Sequence, residues 1–198
     1  MSTKLPRSYY LQPDVVSLSK DLIGKVLCTK FNDQLTSGII TETEAYAGID
    51  DKAAHVYGDR RTKRTETMYG EGGHAYIYLC YGIHHLFNIV TNVDGIPNAV
   101  LLRGIQPLEG AEIMKIRRGK DKIAKTFSSG PGTASQALGI KTVYDNTDLT
   151  GDLIWIEDRQ IHIDESEIIV GPRIGVDYAG EDALLPFRFL YPHKIKIS

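Results

Sequence analysis

The 198-residue chain has two cysteines, one tryptophan and no apolar run near the roughly 18 residues that a membrane span requires. Cys28 and Cys80 sit in apolar sequence with no CxxC partner. A disulfide scaffold is therefore excluded, and both read as buried free thiols in a reducing compartment. The first ten residues carry no apolar stretch of the secretory kind, so the expected location is the cytoplasm, with no membrane association. Repeats and low-complexity linkers are missing as well, which points to one domain over 1–198. What is present, 42% hydrophobic and 24% charged residues, is the composition of a folded globule.

Excess charge is also lacking. A net charge of −2 taken as an average argues against a polyanionic partner. The average conceals a division: residues 145–185 carry eleven acids against Arg159 and Arg173, a net of −9, so the remainder sums to +7. Two basic clusters stand in that remainder. Lys52, Arg60, Arg61, Lys63 and Arg64 oppose only Asp59, and Lys115, Arg117, Arg118, Lys120, Lys122 and Lys125 oppose only Asp121. Each reads either as a solvated face or as part of a polyanion-binding surface. The expectation is that both clusters flank such a partner and that 145–185 mostly faces away from it.

Pro13, Val15, Leu18 and Leu22, stopped by Gly24, predict an amphipathic helix with proline at its start. Strands are predicted over 25–30 and 35–46 around a turn at 31–34, followed by a long charged, glycine-containing loop over 50–73. Segments 74–79 and 85–91 predict a hairpin with its tip near Tyr81–Gly82. A strand over 99–105, a helix over 107–118 opened by Pro107 and a helix over 133–138 closed by Gly139 come next. Short strands are predicted at 153–157, 161–163 and 188–191. With no regular βαβ alternation, the fold class is α+β: a single domain with a mostly antiparallel curved sheet, surrounding helices and a protruding β-hairpin.

Strand alternation places Glu42, Glu44 and Tyr46 on one face, with Ile40 expected beside them. That face reads as a wet polar surface or as a site in which a carboxylate against an aromatic ring acquires a raised pKa. Tyr76 and Tyr78 share a face opposite Ala75, Ile77 and Leu79, the expected core side; they are either cross-strand packing or a stacking wall for a flat ligand. Tyr81, next to Gly82 at the tip, has little to pack on and reads as an exposed wedge. Asn88 and Arg103 lie on apolar strands, where each needs a structural partner or a ligand. His55 reads as a satisfied loop histidine or a site residue. The adjacent pair His84–His85 point to opposite strand faces and cannot chelate one ion, and no His or Cys spacing matches a standard metal motif.

Taken together, these segments resemble the alkyladenine (3-methyladenine) DNA glycosylase family. The resemblance rests on Glu42-Thr-Glu44-Ala-Tyr46 with Ala53-Ala-His55, Tyr76-x-Tyr78-x-x-Tyr81-Gly82, Phe87-Asn88-Ile89 and Val100-Leu-Leu-Arg103. It continues through Pro107-Leu-Glu-Gly110, Ser129-Gly-Pro131, Gln136-Ala-Leu138, Arg173-Ile-Gly-Val176, Ala179-Gly-Glu181 and Phe187-Arg-Phe189, from about residue 10 to 192. It implies an enzyme that flips a damaged purine out of double-stranded DNA and hydrolyses its glycosidic bond, leaving an abasic site. Glu44 is implied to activate the water, and Arg103 and the main-chain carbonyl of Ile174 to help place it. Tyr46 on one side and His55 with Tyr78 on the other are implied as walls of the base pocket. Asn88 is implied to disfavour guanine, and Tyr81 to fill the gap in the stack. Arg60, Arg61, Lys63 and Arg64 are assigned to the DNA backbone. No cofactor or metal, a monomeric state and, in a bacterium, association with the nucleoid are expected. The stretch Ile83-His84-His85-Leu86 is more polar than the family pattern. Rival readings are an O-glycoside hydrolase using Glu42 and Glu44 as a pair, a helix-hairpin-helix glycosylase using Gly130-Pro-Gly132 and Asp148, and a non-catalytic nucleic-acid-binding module with stacking tyrosines.

Overall fold

The computed structural model describes residues 3–196. A two-residue strand, β1 (Thr3–Lys4), and a one-turn helix, α1 (Arg7–Tyr10), precede α2 (Val15–Asp21). Asp14, not Pro13, caps α2: its carboxylate accepts the N–H groups of Val16 and Ser17, each at 3.0 Å. Gly24, at φ +88°, turns the chain into β2 (Val26–Phe31). Asn32 and Asp33, at φ +51° and +60°, then form the two-residue turn into β3 (Gln34–Tyr46), because left-handed residues match the strand twist of a tight hairpin.

The hairpin strands follow as β4 (Ala75–Cys80) and β5 (His84–Thr91), then β6 (Asn98–Glu109), α3 (Ala111–Arg118), α4 (Pro131–Leu138), β7 (Ile154–Asp158), β8 (Ile169–Gly171) and β9 (Arg188–Leu190). They build one open antiparallel sheet in the order β1-β7-β2-β3-β6-β5-β4, with β9 pairing both β3 and β8. The fold is α+β, as expected. One face packs Leu22, Leu27, Ile40, Phe87, Leu102, Met114 and Leu138 into the main core under the helices.

Five local expectations are corrected. Helix α3 starts at Ala111, after Gly110 at φ +72°, and Pro107 lies inside β6. Pro107 is tolerated there because it faces Gly38 at a register shift, where the ladder is already interrupted. Residues 161–163 form no strand: Ile161 and Ile163 pack against Val26, Cys28 and Ile39 without pairing. Ile40 does not share the face of Glu42, because a bulge between Ile40 and Glu42 reverses the alternation and sends Ile40 into the main core with Ala45. Leu79 is exposed, since the hairpin continues beyond the core, and Cys80 is only half-buried while Cys28 is buried. Loop 50–73 is long, as expected, yet well packed, with Val56, Thr65, Met68 and Tyr69 buried.

Candidate active site

The face of β3 opposite the main core carries Glu42, Glu44 and Tyr46. Glu44 has no solvent exposure. Its Oε1 accepts the N–H of Ile174 at 2.8 Å and faces Arg103 Nη1 at 3.2 Å, while Oε2 accepts the Tyr46 hydroxyl at 3.0 Å. Burial pushes its pKa above the ordinary carboxylate range, against the pull of Arg103, the Ile174 N–H and the Tyr46 hydroxyl. A carboxylate oxygen accepts two hydrogen bonds, so Oε2 keeps a lone pair for a water.

Glu42 has a different part. Its Oε1 accepts Arg103 Nε at 2.9 Å and Arg188 Nε at 2.6 Å, so Arg103 spans both carboxylates. This removes Glu42 as a free partner of Glu44 in an O-glycosidase pair. Arg188 arrives on β9, which pairs with β3 opposite Glu42–Glu44. Sequence reasoning assigned it nothing, although it lies in the Phe187-Arg-Phe189 motif.

Tyr46, Arg103 and Ile174 line a cleft of about 430 Å³ together with His55, Tyr78 and Asn88. The His55 ring meets Tyr78 edge-on at 4.6 Å, and its Nδ1 is 2.9 Å from the Tyr76 hydroxyl. Burial, reinforced by Arg64 and Arg60, lowers the His55 pKa to about 4 and keeps the ring neutral. Asn88 pairs with Tyr76 across the hairpin and donates Nδ2 to its carbonyl at 3.0 Å. Tyr76 itself is buried beneath the cleft with Ala54, Val56, Met68 and Val90. The sequence-predicted pocket residues are therefore brought together. Ile174 reaches Glu44 through its N–H, whereas the resemblance drew attention to its carbonyl.

A buried ion pair holds these walls in place. Arg173 donates Nη1 and Nη2 to Asp51 at 2.5 and 2.9 Å, and reaches the carbonyls of Ala45 and Asp182 at 3.0 and 3.1 Å. Asp51 in turn accepts the N–H groups of Ala47 and Ala53. Strand β3, the His55 loop and the segment bearing Ile174 thus meet at one point. The sequence signal was one of two arginines in a strongly acidic stretch, immediately before Ile174. That stretch does not wholly face away from the site: Ile174, Gly175, Val176 and Tyr178 line the cleft.

At the hairpin tip Tyr81 is 92% exposed, with φ +50° ahead of Gly82 at +72°, and Ile83 beside it is exposed too. Arg60, Arg61, Lys63 and Arg64 are all exposed; Arg61 pairs with Glu66, and Arg64 lines the cleft. In the second basic cluster, Arg117 and Arg118 are partly engaged in holding α3 to α4 through Ala137 and Gln136, and Arg118 also donates to the Phe127 carbonyl, while Lys120, Lys122 and Lys125 are exposed. His84 and His85 line another cleft, with Arg117 and Lys141, away from His55. Among the described residues, no three His, Cys, Asp or Glu side chains group as a metal site, and no helix is long and apolar enough to cross a membrane.

A shielded carboxylate with an arginine behind it equips a hydrolase, and aromatic walls suit it to a flat substrate. The methylpurine-DNA glycosylase family model matches residues 9–195. A Chlamydia abortus protein, provisionally named 3-methyladenine DNA glycosylase, is 47% identical over 187 residues, covering 94% of this chain and 97% of its own. A Bacillus cytotoxicus protein of the same provisional name is 43% identical over 203 residues, covering 98% and 99%. The chain belongs to the methylpurine-DNA glycosylase family. It is a DNA glycosylase, a hydrolase that acts on DNA in repair.

Proposed function

We propose that this single-domain enzyme extrudes alkylated or deaminated purines from duplex DNA, with 3-methyladenine, 7-methylguanine, hypoxanthine and ethenoadenine as the substrate class. It hydrolyses the N-glycosidic bond with a water activated by Glu44 and leaves an abasic site. The observation that carries this reading is Glu44, buried and held by Ile174, Arg103 and Tyr46 directly behind an aromatic cleft. The raised pKa lets the carboxylate take a proton from water attacking C1′, and its charge opposes the developing positive charge on the sugar. Arg103, fixed by Glu42, orients the carboxylate and the water.

Extrusion costs a few kcal/mol, less where damage has weakened pairing. Stacking between Tyr46 on one side and His55 and Tyr78 on the other recovers about 1–3 kcal/mol. Tyr81 at the exposed tip fills the vacated position in the stack, and Asn88 disfavours the 2-amino group of guanine. Arg60, Arg61, Lys63 and Arg64 meet the phosphates. The enzyme acts as a monomer without a cofactor, and in a bacterial cell it works at the nucleoid. Among the described residues no lysine lines the cleft to form a Schiff base with the sugar, which supports a monofunctional glycosylase.

The test is release of free base from duplexes bearing one hypoxanthine or one 7-methylguanine. Wild type is expected to release base and to leave alkali-sensitive but otherwise intact strands, while Glu44→Gln binds the duplex without release. Wild-type single-turnover rates in Glu44→Gln would refute the role of Glu44, and binding without release by wild type would favour a non-catalytic module.

A further inference from the structure

Arg64 differs from the other basic residues of its cluster. Arg61 is bound to Glu66 at 2.6 Å and points away from the site, over Tyr69. The Arg64 guanidinium lies 5.0 Å from the centroid of the Tyr78 ring, at the mouth of the cleft. Among the described residues two charged side chains line that cleft, Arg64 and Arg103. Arg103 is balanced by Glu42 and Glu44. Among the described residues no carboxylate pairs with Arg64, so its charge is the uncompensated one at the site.

We propose that Arg64 is a specificity-determining residue, whose guanidinium, laid over Tyr78 without a carboxylate partner, favours neutral damaged purines over cationic ones. The inference rests on the reading of this cleft as the base pocket. A purine alkylated at N3 or N7 carries a positive charge and gains from electron-rich rings. Here one such ring already holds a cation. A cationic base must either displace Arg64 or sit beside a like charge that no side-chain carboxylate pairs with. A neutral purine meets neither cost, because a flat guanidinium stacks on an uncharged ring. His55, the neighbour of Tyr78, is held neutral and adds no second charge.

The experiment compares single-turnover release of 7-methylguanine and of hypoxanthine from otherwise identical duplexes by wild type, Arg64→Met and Arg64→Lys. Arg64→Met is expected to raise the ratio of cationic to neutral release roughly 3–10-fold, the scale of a partly exposed charge interaction. Arg64→Lys, which keeps the charge, is expected to restore the wild-type preference. Arg64 is exposed, and each ratio is taken within one protein, so lost folding or weaker DNA binding affects both arms alike. An equal fall in both releases shows that Arg64 serves the DNA backbone alone and overturns the inference, as does an unchanged ratio. If wild type releases neither base, the reading of the cleft itself fails.

Discussion

The main-chain N–H of Ile174 donates to Glu44 Oε1 at 2.8 Å across 130 residues of sequence. A loop amide, in a segment rich in acids, therefore helps to set the state of a carboxylate on a central strand. The contact also explains why Arg173, one residue earlier, is anchored to Asp51: a shift of that anchor moves the amide off the carboxylate.

Glu44 is expected to impose a single acid-side transition on base release, rising with pH as the carboxylate ionises. Its midpoint lies above the ordinary carboxylate range, since burial outweighs its partners. Arg103→Leu removes the counter-charge and should move that midpoint further up. Loss of the base altogether in Glu44→Gln should cost about 10²–10⁴-fold. Single-turnover rates from pH 4.5 to 8.5 check both; a midpoint unmoved by Arg103→Leu refutes the coupling.

Tyr81 makes no packing contribution that its 92% exposure would allow, and it occupies a left-handed conformation. Tyr81→Gly relieves that conformation, worth about 1–2 kcal/mol, against a glycine entropy cost of about 0.5–1 kcal/mol. The melting temperature should hold or rise while release from duplex DNA falls. A substrate already unpaired at the lesion should lose less, and equal losses on both substrates would contradict the wedge role.

His55 should stay uncharged through the physiological range. Its folded pKa is near 4, whereas the unfolded chain takes up the proton near the ordinary value of 6.5. Between these values the unfolded state binds more protons, so stability is complete above about 6.5 and declines as pH falls toward 4. Imidazole chemical shifts should show no titration of His55 between pH 8 and 5. The urea midpoint should drop less with acid in His55→Gln than in wild type.

Asp51→Ala leaves Arg173 buried with its charge unmatched. Breaking one partner of such a pair costs about 3–5 kcal/mol. Denaturant unfolding should register that loss, and a change under 1 kcal/mol would show that the clamp is dispensable. Arg173→Met together with Asp51→Leu should recover much of it, since apolar packing of similar volume can replace a buried pair.

The hairpin, the long strand with Glu42, Glu44 and Tyr46, and the helix beginning after Pro13 were legible because each depends on local periodicity and turn chemistry. The Asn32–Asp33 and Tyr81–Gly82 turns need left-handed backbone, which Asn, Asp and Gly supply readily, while Tyr81 adopts it at a cost. The bulge near Glu42 was not legible, because it arises where β3 and β6 must stay in register over a long pairing. Pro107 read as a helix start for the same reason: its tolerance in a strand depends on the gap opposite Gly38. Residues 161–163 look like a strand because their alternating apolar side chains meet a core, but no neighbouring backbone pairs with them.

At the candidate site, side-chain chemistry was visible in the sequence and its assembly was not. By itself the sequence determined a glutamate in step with a tyrosine, two further tyrosines in step on a hairpin strand, and a large aromatic at its tip, since alternation alone assigns strand faces. Only the tertiary structure decided that Glu42 is occupied by Arg103 and Arg188, that Arg173 and Asp51 pin three walls together, that the Ile174 amide meets Glu44, and that Arg64 lines the cleft with no carboxylate paired to it among the described residues. The physical reason is distance along the chain. Local propensity acts over a few residues, whereas hydrogen bonds and ion pairs spanning 61 to 146 positions depend on where the sheet brings its strands.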